Sequence, residues 1–174
     1  MARWFRSIAV FVFVFVFVSA AGCGVASAPA ARPMSSLVGT WRFESYEDRD
    51  AAGTTVRPYG AAPAGLLIYD ATGHMAVQIM KTPPPNVASD DWERFTVPEK
   101  VALYDGYVAY FGRFEVDTAR RVVVHLPEAD LSRLYIGRRE ERHFELMADQ
   151  LVLTETWMQS GVAWSGVRVL RRVR

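Results

Sequence analysis

From Val38 onward the chain is a succession of eight short segments in which apolar residues recur at every second position. They are Val38 to Asp48, Gly65 to Asp70, His74 to Lys81, Tyr107 to Val116, Arg121 to Pro127, Glu140 to Leu146, Leu151 to Trp157 and Val162 to Val173. A two-residue period marks a strand with one face buried, and a slip of one residue would turn the whole apolar set to water. Several links between segments are of hairpin size: Asp70-Ala71-Thr72-Gly73, Asp117-Thr118-Ala119-Arg120 and Ala148-Asp149-Gln150. Each places Asp or Gly where a tight turn needs a local backbone bond or a free φ. Consecutive strands should therefore pair antiparallel. Eight up-and-down strands are expected to close into a single all-β barrel, because closure removes both exposed edges and leaves room for side chains or one small ligand.

One stretch departs from alternation. Val97 to Asp105 has Pro98 in a first-turn position, Glu99 near the positive end of the helix dipole, and Val97, Val101 and Tyr104 at i, i+4 and i+7. This predicts one short helix inserted mid-chain. Before it, Thr82-Pro83-Pro84-Pro85-Asn86 and Val87 to Asp91 form a long polar connection, either a lid or a plain surface loop.

The N-terminus has a different character. Arg3 and Arg6 precede an uncharged run from Ile8 to Ala21, about 14 residues, the length of a signal h-region rather than of a membrane span. Residues 1–22 are thus expected to be an export signal peptide. Ala20-Ala21-Gly22-Cys23 resembles the lipobox of bacterial lipoproteins, which implies lipidation of Cys23 and anchoring in the cell envelope. Cleavage after Ala28, at Ala26-Ser27-Ala28, would instead give a secreted domain. Cys23 is the only cysteine, so no internal disulfide can form. The Ala/Pro/Ser-rich run to Ser36 reads as a tether, which makes 23–36 a lipidated linker and 37–174 one domain.

The chain carries 20 basic and 19 acidic residues, and loss of Arg3 and Arg6 with the signal brings the charge just below zero. That balance excludes nucleic acid as an expected partner. The C-terminal Arg168, Arg171, Arg172 and Arg174 read as a solvated face.

Leu37-Val38-Gly39-Thr40-Trp41 carries the G-x-W that opens the first strand of lipocalins, with the indole closing the barrel's base. Gly65 to Asp70, Gly73-His74-Met75, Asp105-Gly106-Tyr107 with Ala109 to Gly112, and Arg142 to Leu146 resemble, in order, blocks of the bacterial and fungal lipocalin-like domain family. The resemblance implies a calycin-type barrel that holds a small molecule.

Strand parity assigns the candidate lining. Glu140, Arg142, Phe144 and Leu146 share one face, and Leu151, Leu153, Glu155 and Trp157 share another, so Arg142 and Glu155 should meet as an internal ion pair. Tyr110 and Phe114 point in if Arg113 and Glu115 point out. Parity leaves Arg121 to Pro127 open, because Val122, Val124 and Leu126 compete with Val123 and His125 for the interior. The candidate ligand-binding set is Leu67, Tyr69, Gln78, Tyr110, Phe114, His125, Arg142, Phe144 and Glu155. His74 is expected at the rim. No metal-ligand spacing, phosphate-binding glycine loop or acyl-transfer motif is present, so no catalytic residue, metal or cofactor is assigned.

These observations lead to the expectation of an envelope-anchored monomer that binds a small, largely apolar molecule in its barrel. One alternative is an isomerase or cyclase with His125 or Glu155 as the acid/base group and Tyr110 or Arg142 stabilising negative charge. Another is a structural protein whose barrel is filled by Trp41, Phe43 and Phe144.

Overall fold

The computed structural model describes residues 36–174. The expected signal peptide, Cys23 and the tether as far as residue 35 lie outside the described residues. The strands are β1 (Gly39–Asp50), β2 (Thr55–Val56), β3 (Ala64–Tyr69), β4 (His74–Met80), β5 (Tyr107–Asp117), β6 (Val122–Asp130), β7 (Glu140–Met147), β8 (Gln150–Gln159) and β9 (Val162–Arg172). Apart from β2, a two-residue extension on β1, each long strand pairs antiparallel with its neighbour in sequence, and β1 pairs with β9 to close the barrel. The expected eight-stranded architecture is therefore present, and among the described residues one α-helix, α1 (Val97–Asp105), preceded by a 3-10 turn at Trp92–Arg94, lies between β4 and β5.

The helix begins as its sequence requires. Thr96 and Glu99 form a reciprocal capping box behind the first-turn proline. Glu99 also accepts a bond from the Ala88 amide at 2.6 Å, which ties the preceding loop to the helix. Its apolar stripe, however, covers nothing: Val97 is 74% exposed, and Val101 and Tyr104 are half exposed.

The base of the barrel is sealed. Trp41, Leu67, Leu151 and Leu170 are fully buried, and Phe43, Tyr69, Met75, Val77, Phe114, Val123 and Leu153 complete one apolar cluster with them. The Trp41 indole donates to the Leu37 carbonyl at 2.8 Å, so the only polar atom of that side chain is satisfied. Arg172 lies over the indole, 4.1 Å from the ring centre, and donates to the carbonyls of Val38 and Ser36. Gly39 makes this possible. A Cβ there would stand 2.6 Å from the Arg172 guanidinium, and its φ of +142° suits glycine.

Two of the C-terminal arginines differ from the solvated face expected of them. Alternation along β9 turns Arg168 and Arg172 to the inner side with Leu170, and Arg168 is only 4% exposed. Only Arg171 and Arg174 lie outside, paired with acidic side chains. A cluster of like charges in a strand divides between two faces, and the inner half must find partners.

Candidate functional site

Above the sealed base, the inward positions carry polar side chains, each placed by strand parity. Arg142 on β7 and Glu155 on β8 meet as expected, with Nε 3.1 Å from Oε2. Arg168 takes the other carboxylate oxygen of Glu155 at 2.8 Å and lies 2.8 Å from Asp48. Glu155 therefore bridges two arginines. The Arg168 guanidinium also stacks 3.4 Å from the centre of the Tyr46 ring and donates to the Glu47 carbonyl. Room for it comes from Gly166, two residues earlier on the same face, where a Cβ would stand 2.6 Å from its nearest nitrogen.

A second group sits beside this cluster. His125 lies between two tyrosines, with Tyr69 Oη 2.5 Å from Nε2 and Tyr110 Oη 3.0 Å from Nδ1. The competition on β6 thus resolves in favour of Val123 and His125, while Val122 and Val124 are buried on the outer side. Burial, reinforced by the Arg142 charge, holds the His125 pKa well below its ordinary value, so the ring is neutral. Burial likewise pushes both tyrosine hydroxyls up, so both keep their protons. It also raises the Asp48 carboxyl, against the opposing pull of Arg168.

Water reaches part of this layer. The side chains of Arg142, Glu155 and Asp48 retain 14%, 17% and 16% of their exposure although they face inward, whereas Trp41 and Leu67 below them have none. Tyr110 and Phe144 are half-buried, as are Trp157 and Trp164, whose rings stack at 6.2 Å across the end of the β8–β9 hairpin. The interior is therefore a closed base, a charged floor and a pair of stacked indoles at the mouth. Two concavities lie outside the barrel. One of about 290 Å³ is bounded by Lys81, Pro83, Pro85, Ala102, Asp105 and Gly106, and one of about 600 Å³ by residues from Val87 to Arg94.

The nine candidate residues consequently fall into three groups. Tyr110, Arg142 and Glu155 share the water-reached layer, with half-buried Phe144 on its base side, opposite Leu153. Leu67, Tyr69, Phe114 and His125 belong to the sealed base or to its boundary, each with exposure of 4% or less. Gln78 faces outward, because Met75, Val77 and Ile79 take the inner positions of β4 and the amide between them must point to solvent. His74 is exposed and bonds Thr72 in the β3–β4 turn. Sequence reasoning passes over Asp48, Tyr46, Arg168 and Trp164, and it places Trp157 inward without adding it to the candidate set. Extending the same parity along β9 would have found Arg168 and Trp164. Asp48 and Tyr46 are hidden by a bulge between Phe43 and Ser45 that reverses the parity of β1.

A family model described as a lipocalin-like domain matches residues 38–171. No curated protein matches the chain.

Proposed function

Since the chain belongs to the lipocalin-like domain family, we propose that it binds one small molecule at the mouth end of its barrel, against the floor formed by Arg142, Glu155 and Tyr110. The observation that carries this reading is the contrast between inward side chains that water still reaches and a base that water does not. A recess with apolar and aromatic walls and a few converging polar groups has the composition of a ligand site. The sealed base means that a guest enters only partway, with its apolar body beside Trp157 and Trp164 on the mouth side of that floor. An export signal and an acylated Cys23 belong to the same proposal and rest on the N-terminal sequence; intact mass of the mature N-terminus tests them.

The filled base favours a second reading, in which the interior serves only to hold the barrel together. A fluorescence titration with N-phenyl-1-naphthylamine, a neutral dye that brightens in apolar surroundings, separates the two. Saturable enhancement that is lost in Val108→Trp, which fills the mouth from β5, supports binding in the recess. No enhancement, or enhancement indifferent to that substitution, contradicts it.

A further inference from the structure

The proton positions around His125 follow from its two neighbours. Tyr69 is 1% exposed, packs against Phe114 with ring centres 4.5 Å apart, and has His125 Nε2 as its hydrogen-bond partner. If Nε2 carried the imidazole proton, the Tyr69 hydroxyl proton would be left buried without an acceptor, a costly arrangement. Tyr69 must therefore donate to Nε2, and the neutral ring must carry its proton on Nδ1. That proton points at Tyr110 Oη, 3.0 Å away. Tyr110 thus accepts from His125, and its own hydroxyl proton has no acceptor among the described residues.

Arg142 presents the same polarity. Its Nε faces Glu155 and its Nη1 donates to the Glu140 carbonyl at 3.1 Å, which leaves Nη2 without a protein acceptor among the described residues. Nη2 is not sealed from solvent, and Tyr110 is half-buried. A guanidinium has no acceptor to offer, and Tyr110 has its acceptor site occupied by His125. Both Glu155 oxygens hold arginines, while the carboxylates of Glu140, two residues before Arg142 on the same face, and Asp130, opposite Tyr110 in register, are bound to neither donor.

We propose that the recess selects an apolar molecule whose polar end is an oxygen acceptor, a carboxylate or a carbonyl, received by the Tyr110 hydroxyl and the free amino group of Arg142. This deepens the binding reading above and rests on it. At those two groups a head that can only donate, such as an ammonium, meets a donor and a cation. Its rejection follows from unpaired polar groups and like charge rather than from shape. Tyr69 and His125 are positioning residues in this scheme: they fix the direction of the Tyr110 proton and do not touch the guest.

The test is competition against bound N-phenyl-1-naphthylamine by decanoate, 2-decanone and decylamine, which share a chain of similar length and differ in head group. The proposal expects both acceptor-headed probes to displace the dye at least tenfold more effectively than decylamine. Tyr110→Phe, which deletes one hydroxyl, should reduce that preference about tenfold. Independently of any ligand, ¹⁵N chemical shifts of His125 should show a protonated Nδ1 and a bare Nε2. Dye binding with equal displacement by decylamine overturns the head-group assignment while the binding reading stands, as does an Nε2-protonated ring. Absence of dye binding overturns both.

Discussion

Tyr69 and His125 meet at the level where the sealed base of the barrel gives way to the recess, with the tyrosine oxygen 2.5 Å from Nε2. The contact occupies one side of an imidazole that is 1% exposed, and Tyr110 occupies the other. With both nitrogens engaged and the ring neutral, His125 orients protons. It is not free to shuttle them to a guest, and Glu155, holding an arginine on each oxygen, is equally committed.

Burial of His125 ties stability to pH. The unfolded chain binds a proton near the ordinary value of 6.5, while in the fold burial and Arg142 keep the ring neutral well below that. The contribution is fully present above pH 6.5 and is lost as pH falls from there toward the depressed folded value. The slope is about 1.4 kcal/mol per pH unit for one proton. Denaturant titrations between pH 7 and pH 5 should show this loss, and His125→Gln should flatten it. An unfolding free energy in the native chain that does not fall across that window would contradict the assignment.

Removing one member of the charged floor should cost far more than removing a surface ion pair. Glu155→Gln leaves Arg142 without a carboxylate and Arg168 with Asp48 alone, both guanidiniums being mostly buried, and the expected loss is about 3–5 kcal/mol. Glu115→Gln breaks an exposed pair with Arg139 and should leave the unfolding midpoint unchanged. Equal effects would mean that the floor is more solvated than its burial indicates.

Gly166→Ala offers a narrower probe. The added methyl would stand 2.6–2.8 Å from three atoms of the Arg168 guanidinium. The group must leave its place over Tyr46 or lose an ion pair, so the melting temperature should fall by several degrees. Gly53→Ala places a methyl in open space at a positive-φ turn position, so it reports backbone strain alone. A Gly166 variant as stable as the native chain would show that Arg168 has another place to go.

Closure of the base rests on Trp41 and Arg172 together. Trp41→Ala removes a fully buried indole and should cost about 3–5 kcal/mol. Arg172→Met keeps much of the apolar stem but leaves the carbonyls of Val38 and Ser36 without their donor, for an expected loss of about 1–3 kcal/mol. Because the two side chains stack, the double variant should lose less than the sum, and simple additivity in a denaturant cycle would argue against coupling.

The barrel was legible in the sequence because alternation and hairpin-sized links act locally and agree with one another. The Arg142–Glu155 pair was legible for the same reason, since both strands have one clearly apolar face. What escaped had nonlocal causes. A bulge after Phe43 shifts the parity of β1 and carries Tyr46 and Asp48 inward. Both faces of β6 are buried, so Val122 to Val124 offered no contrast from which to place His125. Arg168 looked like part of a solvated run because its partners, Asp48 and Glu155, come from two other strands. The stripe on α1 showed periodicity without burial, which is a property of neighbours rather than of the helix.

The central claim concerns where a guest sits, and the indole N–H signals of the tryptophans report that directly. In a ¹H–¹⁵N titration with N-phenyl-1-naphthylamine, the account predicts that Trp157 and Trp164 at the mouth shift together and saturably. Trp41 in the sealed base and Trp92, 69% exposed outside the barrel, should stay in place. A shift at Trp92 alone would move the site to the outer surface beside α1, and no shift at Trp157 or Trp164 would contradict a recess that binds.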